Sequence, residues 1–126
     1  MSAIVKNCKI YAESTKNYCY RNHKQSSKAR GYEPLDRVVW ENLVKKECFY
    51  CGDMGEVRFI KIPNDTEENI QKTRIKINGI DRLDSGKGYN IENCVPCCRA
   101  CNRMKSDYLL NDFFKRIEKI AKNLNL

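Results

Sequence analysis

The sequence predicts an α+β fold in which helices flank a short β-rich centre stapled by cysteines. Three observations lead there. Residues 3–29 contain neither Pro nor Gly, as a long helix requires. The runs "VRFIKI" (57–62) and "TRIKINGI" (73–80) are rich in β-branched residues and lie between two Cys-x-x-Cys pairs. Near the C-terminus Phe113, Ile117 and Ile120, with Phe114 and Leu124, recur at helical spacing.

Taken in order, the first helix, whole or broken, ends where Gly31 interrupts the pattern. Pro34 suits the first turn of a second helix, expected from about Leu35 to Lys46, with Leu35, Val38, Val39 and Leu43 (and Trp40, Val44) at helical spacing. The two β runs read as one hairpin with a long loop, within which Glu67 to Lys72 could form a helical turn. "DSGKGYN" (84–90) reads as a loop in which Gly86 and Gly88 lend backbone freedom. "CVP" (94–96) reads as a short strand and "CCRACNRMK" as the start of a helix. At 126 residues the chain is expected to be one domain. It divides into a basic helical region (1–47), a stapled core (48–105) and a C-terminal helix (106–126).

No apolar run approaches the ~18 residues of a membrane span, and "MSAIVKNCKIY" lacks the apolar stretch of a signal peptide. The chain is therefore expected inside a cell, cytoplasmic or nucleoid-associated, where thiols stay reduced and paired cysteines favour zinc over disulfides. The formal net charge of +8 suits a polyanion, nucleic acid first. From Lys6 to Arg30 seven cations, among them Lys24, Lys28 and Arg30, face a single acid, Glu13. That stretch is either a solvated helix face or an arm that contacts phosphates.

Four of the eight cysteines form the strongest motif. Cys48-Phe-Tyr-Cys51-Gly is a knuckle, two thiolates two residues apart with a Gly where the turn is tight. Zinc needs a second pair, and Cys94/Cys97 and Cys98/Cys101 both have the spacing. Cys98/Cys101 is preferred because a pair opening a helix sets both sulfurs on one side of its first turn. Four thiolates close the coordination shell, so this zinc is structural. Cys8, Cys19, Cys94 and Cys97 are then expected to be small buried hydrophobes.

The Cys-x-Tyr-Cys-Gly knuckle, Gly-Ile-Asp (79–81), Gly-Tyr (88–89) before Ile-Glu-Asn (91–93) and the Cys-x-x-Cys-Asn-Arg-x-Lys ending together resemble the HNH endonuclease family of the ββα-metal class. The likeness is closest to small phage-type members, so a phage or virus is a candidate source. It implies a β-hairpin and helix gripping one divalent ion, Mg²⁺ or Mn²⁺, against a scissile phosphate of duplex or branched DNA. By position Asp81 and Asn102 match the ligands of that ion and Asn93 matches the asparagine that holds the loop. Arg103, Lys105 and Lys87 join Lys24, Lys28 and Arg30 as expected nucleic-acid contacts. One carboxylate and one amide oxygen suit a hard cation that keeps several waters.

The sequence departs from the family at one position. The usual general base, a His directly after the Asp, is here Arg82, which cannot take a proton near neutral pH. Asp84 is the nearest carboxylate able to serve; alternatively Arg82 clamps the phosphate and metal-bound water is the nucleophile. The lone His23 reads as a surface residue. The expected function is a metal-dependent DNA endonuclease with a structural zinc. The alternative is a weakened or inactive zinc-stapled DNA-binding module, and a zinc-bearing protein-interaction module suits the basic charge least.

Overall fold

The computed structural model describes residues 3–60 and 64–126, with residues 3–10 described by backbone alone. Helix α1 (Ala3–Ala29) is followed by α2 (Arg37–Val44), strand β1 (Glu56–Arg58), α3 (Glu67–Lys72), β2 (Ile75–Ile77), β3 (Gly79–Arg82), β4 (Cys94–Cys97), α4 (Arg99–Lys105) and α5 (Leu110–Leu124). This is the α+β architecture expected, with helices at both ends and short antiparallel strands between. Among the described residues no helix is long and apolar enough to cross a membrane.

The unbroken α1 owes its length to a run without helix breakers, and it is fastened to the rest by polar side chains. Fully buried Thr15 donates its hydroxyl to the Thr73 carbonyl at 2.6 Å, and Tyr20 donates to the Leu35 carbonyl at 2.7 Å. Such bonds satisfy groups that burial would otherwise penalise. Outside them, Glu13, Lys16, Arg37 and Glu41 form a network of ion pairs between α1 and α2.

The second helix starts later than its proline suggested. Asp36, not Pro34, sets the start: its carboxylate accepts the Val38 N–H at 3.2 Å as an N-cap. Leu35, Trp40, Leu43 and Val44 are buried, whereas Val38 faces solvent at 65 % exposure. With Ile77 and Cys94 these four residues make the larger hydrophobic cluster.

The run 73–80 is not one strand. Residues Ile75–Ile77 pair with Glu56–Arg58 in one two-stranded sheet, and Gly79–Arg82 pair with Cys94–Cys97 in another. Asn78 divides them. Its backbone N–H turns to the Val44 carbonyl at 2.7 Å, and its side-chain amide donates to the carbonyls of Lys46 and Asp53. Those bonds take Asn78 out of either ladder and tie the strands to the end of α2. Gly55 lets β1 approach, since a Cβ there would lie 2.0 Å from the Ile77 carbonyl carbon. The end of the first expected strand, residues 61–62, lies outside the described residues. Glu67–Lys72 is helical, capped by Thr66 accepting the Asn69 N–H.

The β3–β4 hairpin separates two environments. Directly paired residues share a face, so Asp81, Val95 and Cys97 lie on one side, and Ile80, Arg82, Cys94 and Pro96 on the other. Ile80 and Cys94 meet the larger cluster, whereas Cys97 packs with Cys48 and Cys98 in the second. Helix α4 follows β4 directly, and α5 lays only Phe113 into the molecule.

Candidate metal centre and acidic site

The two cysteine pairs converge. One ligand atom from each of Cys48, Cys51, Cys98 and Cys101 lies within 4.8 Å of all the others, and the sulfurs of Cys51 and Cys98 are 3.7 Å apart. Tetrahedral zinc with Zn–S near 2.3 Å separates its sulfurs by about 3.8 Å, so the group could hold a zinc ion. Local structure builds each half. Gly52, at φ +79°, folds its N–H back to the Cys48 carbonyl at 2.9 Å, closing the knuckle. Cys98 is the N-cap of α4, accepting the Cys101 N–H at 3.4 Å, which sets its sulfur beside that of Cys101.

Acid–base behaviour fits a shared dication site. Burial opposes ionisation of Cys48, but the backbone N–H groups of Cys51, Cys98 and Tyr50 outweigh it and bring that thiol down to about 6. Burial and the sulfurs of Cys98 and Cys51 push Cys101 up. Charge on Cys48 also opposes ionisation of Cys101, a conflict that a bound dication would relieve.

The other cysteines stay outside this group. Cys94 and Cys97 are buried on opposite faces of the hairpin, both pushed up by burial, Cys94 to about 11. Cys19 is half-buried, and the side chain of Cys8 lies outside the described residues.

Next to the cysteines, β3 carries Asp81 inward at 5 % exposure. Tyr50, between the knuckle cysteines, donates its hydroxyl to Asp81 Oδ2 at 2.5 Å. Burial, then the hydrogen bond to Asp81, raises the Tyr50 phenol and keeps it a donor. Lys105, 0 % exposed, sets its ammonium 3.4 Å from Oδ2, 3.5 Å from Oδ1 and 3.0 Å from the Arg82 carbonyl. Expected to reach DNA, Lys105 instead points inward, because the end of α4 brings its ammonium to the Arg82 carbonyl and to the buried carboxylate, which needs a partner.

Asn93 holds the loop between β3 and β4. Its amide donates to the carbonyls of Asp84 and Gly88 at 3.0 and 2.9 Å, and its oxygen accepts the Asp84 N–H at 3.0 Å. Asn102 is exposed on α4, one turn before Lys105, and its side chain makes no hydrogen bond among the described residues. Asp84 is half-buried where the chain bends after β3, one oxygen accepting the Gly86 N–H at 2.9 Å.

Arg82 leaves the opposite face of β3 from Asp81. Its guanidinium lies 5.0 Å from the ring centres of both Tyr32 and Tyr89, and its Nη1 donates to the Lys87 carbonyl at 2.9 Å. Gly86 and Gly88 do not adopt positive φ; Gly88 instead leaves room for Tyr32, whose ring would stand 3.1 Å from a Cβ there. Arg30 reaches the Tyr89 hydroxyl at 3.2 Å. Lys24, Lys28, Arg30, Lys87 and Arg103 are all exposed.

His23 is not a surface residue. Half-buried, its Nε2 accepts the Leu35 N–H at 3.0 Å, and burial followed by the charge of Arg30 lowers it to about 4. It is a neutral acceptor that ties α1 to the start of α2. Sequence reasoning also gave no role to Tyr50, Tyr32 or Tyr89. The only signals were Tyr50 inside "CFYCG" and Tyr89 inside "SGKGYN", neither of which reveals its partner, and Tyr32 stands in no such motif.

No family model matches the chain, and no solved structure matches it. The chain is 30 % identical over 103 residues to Uncharacterized protein R423 of Acanthamoeba polyphaga mimivirus. The match covers 81 % of this chain but only 16 % of that viral protein's length.

Proposed function

We propose that this chain is a metal-dependent DNA endonuclease of the HNH kind, with zinc in the four-cysteine site as its structural staple. The observation that supports this most is the hairpin and following helix that carry Asp81, Asn93 and Asn102, with the helix opened by two of the four cysteines. Asp81 and Asn102 offer the carboxylate and free amide oxygen that would hold Mg²⁺ or Mn²⁺. Such an ion supplies charge stabilisation to the phosphate and the departing 3′-oxygen. Asn93 keeps the intervening loop in one shape. Arg82, turned away from Asp81 and held between two tyrosines, stiffens the loop that presents Lys87 and has no proton-accepting role. The viral relative is in keeping with a phage or virus source.

A second reading has its own support. The Lys105 ammonium already neutralises Asp81, so a divalent ion must displace it. If the ion cannot, the chain is a zinc-stapled DNA-binding module. Relaxation of supercoiled plasmid with Mg²⁺ or Mn²⁺, absent with EDTA and absent in Asp81→Asn, is the result expected of the nuclease. Protein that binds plasmid but never cuts it would favour the module.

Either reading needs DNA affinity that falls with salt. Neutralising Lys24, Lys28 and Arg30 together is expected to weaken binding to all sequences alike and to flatten the slope of log affinity against log salt by about 2–3. Fluorescence anisotropy over a salt series measures it. An unchanged slope would make these charges a solvated face of α1.

A further inference from the structure

Resting on the endonuclease reading, we infer that Tyr50 is the positioning residue that couples the four-cysteine site to Asp81. The knuckle fixes where Tyr50 sits. Cys48 and Cys51 bracket it, the Phe49 N–H bonds the Pro96 carbonyl at 2.8 Å, and the Cys48 N–H bonds the Asp53 carbonyl at 2.7 Å. Its ring is held edge-on by Phe49 and by Phe113 of α5, with centres 5.1 and 5.6 Å away. At the far end its hydroxyl grips Oδ2 of Asp81. One side chain therefore spans from the zinc ligands to the carboxylate and is clamped at both ends.

Charge separates Tyr50 from the other partner of Asp81. The Lys105 ammonium and a divalent cation compete for the same carboxylate and repel each other. Tyr50 is neutral and can keep its bond to Oδ2 while Oδ1, whose only hydrogen-bond partner among the described residues is Lys105 at 3.5 Å, is offered to the ion. A hydrogen-bonded partner of this kind orients a ligating carboxylate, and its loss typically costs 10–100-fold in metal affinity or activity. On this arrangement a filled cysteine site does more than hold the chain together, since it sets the rotamer of the acid beside it.

Tyr50→Phe tests the inference, because it keeps the ring in its seat and removes only the hydroxyl. The variant is expected to retain one zinc per chain and wild-type affinity for duplex DNA. Its affinity for Mn²⁺ alone, titrated by electron paramagnetic resonance, should fall at least 10-fold, and cleavage should recover as Mn²⁺ is raised. Three-bond NMR couplings of Asp81 should report one side-chain rotamer in the wild type and averaging in the variant. Wild-type Mn²⁺ affinity together with an unaveraged Asp81 rotamer in Tyr50→Phe would overturn the inference. If the wild type neither binds Mn²⁺ nor cuts DNA, the endonuclease reading fails by itself. The Asp81 couplings then still decide the role of Tyr50: averaging in the variant supports it, and a fixed rotamer overturns it.

Discussion

Cys98→Ser is expected to empty the metal site and leave the chain unfolded or insoluble, while Cys97→Ser folds and keeps its metal. The two residues are neighbours, and both are buried. Only Cys98 joins the cluster with Cys48, Cys51 and Cys101. Serine is a good N-cap, so the capping bond to the Cys101 N–H would survive in Cys98→Ser and the loss would come from the missing thiolate. Zinc binding supplies roughly 10–16 kcal/mol in small zinc-dependent modules, against a total stability of about 5–15 kcal/mol for a domain. The core without the metal is thin, since the second cluster is built on Cys48, Cys97 and Cys98 themselves. Cys97 donates to the Cys98 carbonyl at 3.3 Å, a bond that serine can reproduce. Elemental analysis should find about one zinc per wild-type chain, with a chelator mimicking Cys98→Ser in circular dichroism. Zinc retained by Cys98→Ser but lost from Cys94→Ser and Cys97→Ser would overturn the assignment.

Removing the charge of Asp81 is expected to abolish divalent-dependent cleavage, and the choice of substitution decides what is learned. Asp81→Ala strands the buried ammonium of Lys105 and the hydroxyl of Tyr50 together. Leaving one partner of a buried pair alone costs about 3–5 kcal/mol, so that variant risks losing fold and activity at once. Asp81→Asn also takes the counter-charge from Lys105, but it keeps the side-chain volume and an acceptor oxygen for Tyr50, so it is expected to cost less than Asp81→Ala while removing the charge that a hard cation needs. It should fold, carry zinc and bind DNA, yet leave plasmid uncut. Asn102→Ala should give the same result with no stability loss beyond a few tenths of a kcal/mol, as its side chain is exposed and unbonded. Cleavage by Asp81→Asn at the wild-type rate would remove Asp81 from the chemistry.

Much of the framework can be read from the residues in order. The Pro- and Gly-free run made α1, the apolar spacing from Phe113 onward made α5, and the pairing of Cys48/Cys51 with Cys98/Cys101 followed from spacing and the helix-opening position of the second pair. These features are local, or obey a local period. Burial within α2 was less legible, because Val38 and Trp40 are both apolar and only the packing decides which one faces the core.

What tertiary structure alone decided lies in contacts between residues far apart in sequence. Asn78 splits a continuous β-like run because the end of α2 and the knuckle offer three carbonyls to its amides. Lys105, like the other cations in composition, is buried because α4 turns it onto a carboxylate 24 residues away. His23 is an acceptor for Leu35 rather than a surface group. Arg82 serves a pair of tyrosines because strand alternation sends it away from Asp81. The sequence by itself determined the two terminal helices and which four cysteines converge, while Asp81 was singled out through the family resemblance. Which donors hold that acid is set by the faces that α4, β3 and the knuckle present to one another, and no period in the chain encodes a pairing across that distance.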